Sequence, residues 1–510
     1  MARSTESRRE RRIAAGAGVR QMRFGGVINR YPPIAIMSAD EIEAIHLASL
    51  RLLAETGIEV LHDESRALLR AAGAEVDDST LRVRFDPPMI EETIRTAPSS
   101  FTLQARNPAR NLIVGDGSLI FAATGGPAFV HDMDRGRRAG NYADMCDYIR
   151  LVHSLNVIHQ EGGCPCEPTD LPPDSRHLDF YHAAIRLTDK NWQCWALGGY
   201  RVEDAIEMLS ITLGQTRDEL RQNPATLTVI NSNSPLRLDI PMGEGLIAMS
   251  RAGQPIALTP FTLSGAMSPV TIAGALTQQN AEALALIALA QVVAPGAPVL
   301  YGGFTSNVDM RTGSPAFGTP EYAKAQIASG QLARRYNVPF RSSNVTASNA
   351  VDVQAAYESG MSLWSTIMGG VHLIEHAAGW LEGGLTASFE KLVLDAEMLQ
   401  MMRSFLTPVV VDEASLAVDA ISEVGPGGHF FGTGHTLARF ENAFYEPMLT
   451  DWRNFENWQE SGARTGTDRA NGIWKELLRT YEQPPLDEAV DEALEAYVAR
   501  RKEEIAAGKF

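Results

Sequence analysis

Cysteine is scarce, with four in 510 residues. Cys146, Cys164, Cys166 and Cys194 are too few for a disulfide framework and are expected as reduced thiols of a cytoplasmic protein. Long apolar runs are missing as well. No stretch of about 18 uninterrupted apolar residues occurs, so a transmembrane helix is not expected. Positive charge is in deficit: 45 Lys and Arg stand against 62 Asp and Glu, a net of −17. That balance argues against a broad basic surface for nucleic acid. Aromatic residues make up only 7% of the chain, so the places where they gather carry information.

The one basic stretch is MARSTESRRERRIAAGAGVRQMRFGG, with seven Arg against two Glu. It lacks the apolar segment of a secretory signal. Its Arg content is compatible with a transit peptide, but the acidic residues and the tight RRERR cluster favour a flexible arm over residues 1–30. Ser38-Ala39-Asp40-Glu41 reads as a capping box that opens a helix running to about Glu55. A helix near Asp63, a hairpin in AEVDDSTLRVRF, a short helix near 88–97 and strands in FTLQARN and NLIVGDG follow. Residues 31–117 therefore form an α+β accessory region.

From about residue 118 the rhythm changes. Eight apolar, β-branched runs (118–126, 157–163, 191–199, 226–235, 255–265, 298–307, 339–346 and 370–380) alternate with helical stretches. The expected helices span 141–154, 176–189, 202–213, 239–252, 271–293, 320–336 and 352–368. Such alternation implies α/β architecture with a parallel sheet, and eight repeats predict a (β/α)8 TIM barrel over 118–384. An open doubly wound sheet is the alternative, but no G-x-G-x-x-G follows the first strand. Residues 385–510 read as a C-terminal helical extension. It holds SFEKLVLDAEMLQMMRSFL, DEASLAVDAISEV, the glycine-rich GPGGHFFGTGH and a final acidic-to-basic helix.

A barrel keeps its chemistry at the C-terminal ends of its strands. That rule selects Glu161, Trp195, Asn231, Phe261, Tyr301, Phe304, Asn344, Glu375, His376, Trp380 and Glu382. No G-x-S-x-G or H-E-x-x-H is present. A set rich in rings and poor in hydrolytic groups suits a weakly hydrated cation such as a quaternary ammonium, although each ring taken alone reads as ordinary barrel packing. Cys164-Pro165-Cys166 lacks zinc-knuckle spacing, so buried structural thiols and no bound metal are expected. His429 and His435 lie in a loop that either closes the barrel mouth or merely connects helices. Glu382, in AAGWLEGG, either orients a substrate or pairs with an Arg.

YGGFTSNVDMRTGSPAFGTPE, AAGWLEGGLTASFEKLVLDAEM, GPGGHFFGTGHT and EPMLTDWRNFENWQESG resemble the trimethylamine methyltransferase family, as does LLAETGIEVLHDESRALLRAAGAEVD. The resemblance spans roughly residues 35–500. It implies a (β/α)8 barrel and methyl transfer from a methylated amine to the cobalt of a cognate corrinoid protein. Founding members carry pyrrolysine near the end of the seventh strand. Here PFRSSNVTASNAVDVQAA has Asn344-Val345 at that place, which makes the chain similar to pyrrolysine-free glycine betaine methyltransferases. Glu375, His376 and Glu382 are then the candidate catalytic groups. Trp195, Phe261, Tyr301, Phe304, Asn344 and Trp380 are candidates for the amine, and Arg311, His376 and His429 for an anionic tail. A barrel enzyme of another class and a methylated-amine binding protein also fit the residues, and a barrel this large and acidic is expected as a homo-oligomer.

Overall fold

The computed structural model describes residues 18–509. Seven short parallel strands build the central sheet: β1 (Ser118–Phe121), β2 (Trp192–Gln193), β3 (Thr226–Ile230), β4 (Ile256–Leu258), β5 (Val299–Gly302), β6 (Phe340–Ser343) and β7 (Leu373–Glu375). From β2 to β7 each pairs with the next in chain order, and β7 pairs back onto β1. The sheet is therefore curled. The segment 157–163, expected as a full strand, makes no ladder. Only Gln160 bridges in parallel to Ala122 and to Asn191. Its neighbour explains the loss: His159 Nδ1 accepts the Phe121 backbone N–H at 3.0 Å, so a side chain takes a donor that a ladder would use.

The helices between strands match the expected spans closely: α1 (Tyr142–Ser154), α2 (Arg176–Leu187), α3 (Gly199–Leu213), α4 (Ile240–Arg251), α5 (Ile272–Val293), α6 (Pro320–Tyr336) and α7 (Val353–Met368). Asn141, Asp239, Thr271, Thr319 and Asp352 cap the orphan N–H groups of α1, α4, α5, α6 and α7. Strand alternation sorts the side chains. Ile120, Leu227, Ala257, Leu300 and Leu373 point inward and pack on one another. Ile256, Tyr301, Phe340 and Ile374 point outward, under the helices.

Helix α5 is mostly apolar and is buried on every side from Gln278 to Gln291, so it needs cover on every side. The accessory helices Ala39–Glu55 and Pro87–Ile94 supply it on the outer face. The capping box at Ser38 and Glu41 is formed. The hairpin pairs Glu75–Asp77 with Arg82–Arg84, and Phe101–Leu103 pairs with Leu112–Val114. Residues 18–30, expected as part of a flexible arm, are bound. Val27–Ile28 runs antiparallel to β1, and the Met22 N–H donates to Gln400 Oε1 at 2.7 Å. The rest of the expected arm, residues 1–17, lies outside the described residues.

After the sheet comes α8 (Phe389–Phe405). The helix expected over DEASLAVDAISEV is divided by Ala417, whose φ of 51° breaks it into Glu413–Leu416 and Val418–Val424. The last helix, Glu488–Ala506, packs on α2 and α3. Among the described residues no helix is long and apolar enough to cross a membrane.

Candidate active site

Above the inner apolar layer the strand ends open into a cavity of about 520 Å³. Gln193, Thr259, Arg341 and Glu375 line its deeper part. The alternation that puts Ala257 and Leu373 inside also brings Thr259 and Glu375 inside, two residues on. Glu375 is buried and accepts from Gln193 Nε2 at 2.6 Å. Burial pushes its carboxyl up, against the pull of the Arg341 charge. Nearby, Glu161 takes the backbone N–H groups of Gly163 at 2.9 Å and Cys164 at 3.1 Å. Burial raises its carboxyl to about 8.

One wall is aromatic. Phe261 and Phe304 have ring centres 5.1 Å apart, and Trp380 lies 6.0 Å from Phe304. His376 stacks on Trp380 at 4.8 Å with planes 19° apart. Its backbone is held at φ 53°, a conformation that costs a non-glycine residue free energy and persists only where the surroundings enforce it. Burial, followed by the Arg341 charge, pushes its pKa well below the usual histidine range, so the imidazole is neutral. The opposite wall carries Trp195, stacked on Phe180 at 5.8 Å. Glycine backbone forms much of the rim. At Gly162 a Cβ would lie 1.9 Å from the Ala123 carbonyl oxygen, so a side chain is excluded there by close strand packing.

Seven expected residues thus meet at one cavity: Trp195, Asn231, Phe261, Phe304, Glu375, His376 and Trp380. Glu161, held by backbone N–H groups, and five others do not line it. Tyr301 alternates outward from Leu300, and its hydroxyl donates to Asn280 Oδ1 at 3.0 Å beneath α5. Asn344 is buried beside the Ala377 carbonyl, to which its Nδ2 donates at 3.0 Å. Glu382 pairs with Arg137, whose Nε lies 2.9 Å from both carboxylate oxygens, so it ties the turn Glu382–Gly384 to the strand Gly136–Ala139. Arg311 stands in an exposed turn closed by Asp309. His429 is exposed in the C-terminal extension, next to Phe431. Strand-end position and the family resemblance drew attention to these five, but neither reports which way a side chain faces.

The reading missed Arg341, Gln193 and Phe317. The first two were recoverable from alternation within β6 and β2. Phe317 packs behind Trp380 at 5.3 Å, from a loop with no periodic signal. Cys164 and Cys166 are buried, and burial pushes both thiols up, Cys166 to about 12. Among the described residues, the one grouping of three side chains able to hold a metal is His182, Asp491 and Glu495, which is outside the cavity.

The cavity thus lies at the C-terminal edge of the parallel sheet, is walled by rings and holds a buried guanidinium. The family model "Trimethylamine methyltransferase (MTTB)" matches residues 3–506. Glycine betaine methyltransferase of Desulfitobacterium hafniense is 35% identical over 475 residues, 93% of this chain and 98% of that relative. Trimethylamine methyltransferase MttB of the same species is 29% identical over 473 residues, 92% of this chain and 95% of its own. The crystal structure of the Methanosarcina barkeri monomethylamine methyltransferase (MtmB) covers 90% of this chain and 97% of its own, at 11% identity and TM-score 0.48. The protein is a methyltransferase by these relationships. It belongs to the trimethylamine methyltransferase family.

Proposed function

We propose that this chain takes a methyl group from a quaternary amine, glycine betaine or a close analogue, and passes it to the Co(I) of a corrinoid carried by a separate protein. The observation that carries the reading is the wall of Phe261, Phe304, His376 and Trp380, in a chain 35% identical to a glycine betaine methyltransferase. We read the curled sheet as a closed (β/α)8 barrel in which the bridges of Gln160 stand for the missing strand between β1 and β2.

The chemistry asks little acid–base help of the protein. A quaternary ammonium leaves as a neutral tertiary amine. The N–CH3 bond breaks with its electron pair staying on nitrogen, so no proton has to be supplied. The corrinoid is a co-substrate that supplies the nucleophile. Besides one imidazole, His376, and one thiol, Cys194, the cavity lining offers two carboxylates, Glu167 paired with Arg176 and Glu375 bonded to Gln193, and these side chains are not grouped as a metal site. Neutral His376 adds no charge to repel a bound cation, and the rings hold the cation by their faces. The task left to these residues is placement, which is worth several kcal/mol in a displacement of this kind.

The test is methyl transfer to chemically reduced cob(I)alamin. Trimethylamine, glycine betaine, carnitine, choline and proline betaine are supplied one at a time, and methylcobalamin is followed by absorbance. Product from a quaternary amine, and none from trimethylamine, is the expected result. Product from trimethylamine alone would sink the reading.

A further inference from the structure

Three guanidinium groups line the cavity, and two of them are engaged. Arg176 pairs with Glu167 at 3.0 Å. Arg201 lies over the Tyr200 ring at 4.8 Å, and its Nη1 donates to the Leu197 carbonyl. Arg341 differs. It is 2% exposed, and its Nε and Nη1 have no hydrogen-bond partner. Its guanidinium carbon lies 5.5 Å from the centre of the Phe304 ring, the same ring that packs against Phe261 and Trp380.

Burying a guanidinium without an ion pair costs several kcal/mol, and arginine does not escape the cost by losing its proton. Its fork of parallel N–H donors matches a carboxylate in particular. A zwitterion would satisfy both parts of the site at once, with its trimethylammonium on the faces of Phe304 and Trp380 and its carboxylate on Arg341.

We infer that Arg341 is the carboxylate anchor of the site and selects quaternary amines with a short anionic tail over those with a neutral one. This inference rests on the quaternary-amine reading above and narrows it to betaines. Arg341 acts as a specificity residue. Its partner is the end of the substrate remote from the transferred methyl.

Glycine betaine and choline share a trimethylammonium group and end in a carboxylate and a hydroxyl respectively, so they test the assignment. Calorimetric titration of the full-length protein with each gives an affinity ratio for wild type, R341Q and R341K. Wild type is expected to favour glycine betaine. In R341Q the betaine-to-choline ratio falls on the order of 100-fold, the scale for removing one partner of a buried charge pair. R341K keeps the charge without the fork and falls between the two. If R341Q does not fold, R341K carries the test, with a fall of about tenfold supporting the assignment. An unchanged ratio in the folded variants, or a wild type that binds both ligands equally, overturns the anchor and leaves the quaternary-amine reading standing. A wild type that binds neither ligand overturns both.

Discussion

Phe304 stands where four other rings and a guanidinium meet, so its loss removes a face that a cation would use. Phe304→Ala is expected to weaken quaternary-amine binding roughly 3- to 30-fold, the range of a desolvated cation–π contact. Tyr301→Phe is the matched control three residues away. It removes a hydrogen bond to Asn280 on the outer side of β5 and should cost about 1 kcal/mol of stability while leaving affinity unchanged. Calorimetry and thermal melts of the two variants check both halves. If Tyr301→Phe weakens binding as much as Phe304→Ala, the cavity is not the amine site. This pair also shows what was legible at this scale. Residue type and strand position marked Phe304 and Tyr301 as equals. Only the period of two, counted from Leu300, separates them. The same count would have exposed Arg341, which the polar run Ser342-Ser343-Asn344 overshadowed.

Elements in this fold are joined by buried polar groups as well as by apolar faces. His159 links three segments: Nδ1 accepts from Phe121 of β1, Nε2 donates to the Gly25 carbonyl at 3.2 Å, and its ring stacks on Phe121 at 5.3 Å. Burial holds its pKa at about 3. The unfolded chain takes up a proton on this residue below its ordinary pKa of about 6.5, whereas the folded chain does not. Stability is therefore lost as pH falls from about 6.5 towards 3. His159→Gln should flatten the acid side of the stability profile by up to roughly 1.4 kcal/mol per pH unit between pH 6 and 4. Urea midpoints of wild type and variant across that range measure the difference. Parallel profiles would show that the imidazole titrates in the fold. A second joint is Asp204 on α3, which accepts from His177 Nε2 at 2.9 Å and from Tyr497 and Arg501 of the last helix, each at 2.7 Å. Asp204→Ala leaves Arg501 without this partner and is expected to cost about 3 kcal/mol, read as a lower urea midpoint. The helices were legible because side-chain caps mark α1 and α4 to α7, while apolar periodicity marks α2 and α3. The second strand was not, because no pattern announces that a histidine side chain will take a ladder donor.

Three apolar clusters form the core of the described residues, and one of them spans both ends of the chain. A single apolar cluster includes Val19, the accessory helices, the sheet and Ile505 of the last helix. The accessory region covers α5, and the last helix covers α2 and α3, so neither end is an independent unit in packing terms. The order of strands and helices was readable from alternation alone. The coverage was not, since it depends on contacts between segments hundreds of residues apart. A cluster that joins both ends of the chain to the sheet predicts one cooperative transition, and a ligand that binds only the folded cavity must then stabilise the entire chain. At a ligand concentration about 100 times Kd the gain is about 2.7 kcal/mol. With an unfolding entropy of about 2.1 cal/mol/K per residue, a chain of this length should melt roughly 2–3 °C higher. Differential scanning calorimetry with and without glycine betaine tests this directly. A single peak that moves as a whole is the expected trace. Two peaks, of which betaine moves only one, would mean that the shared apolar cluster does not couple the extension to the sheet, and the boundary near residue 385 would then be a true division in stability.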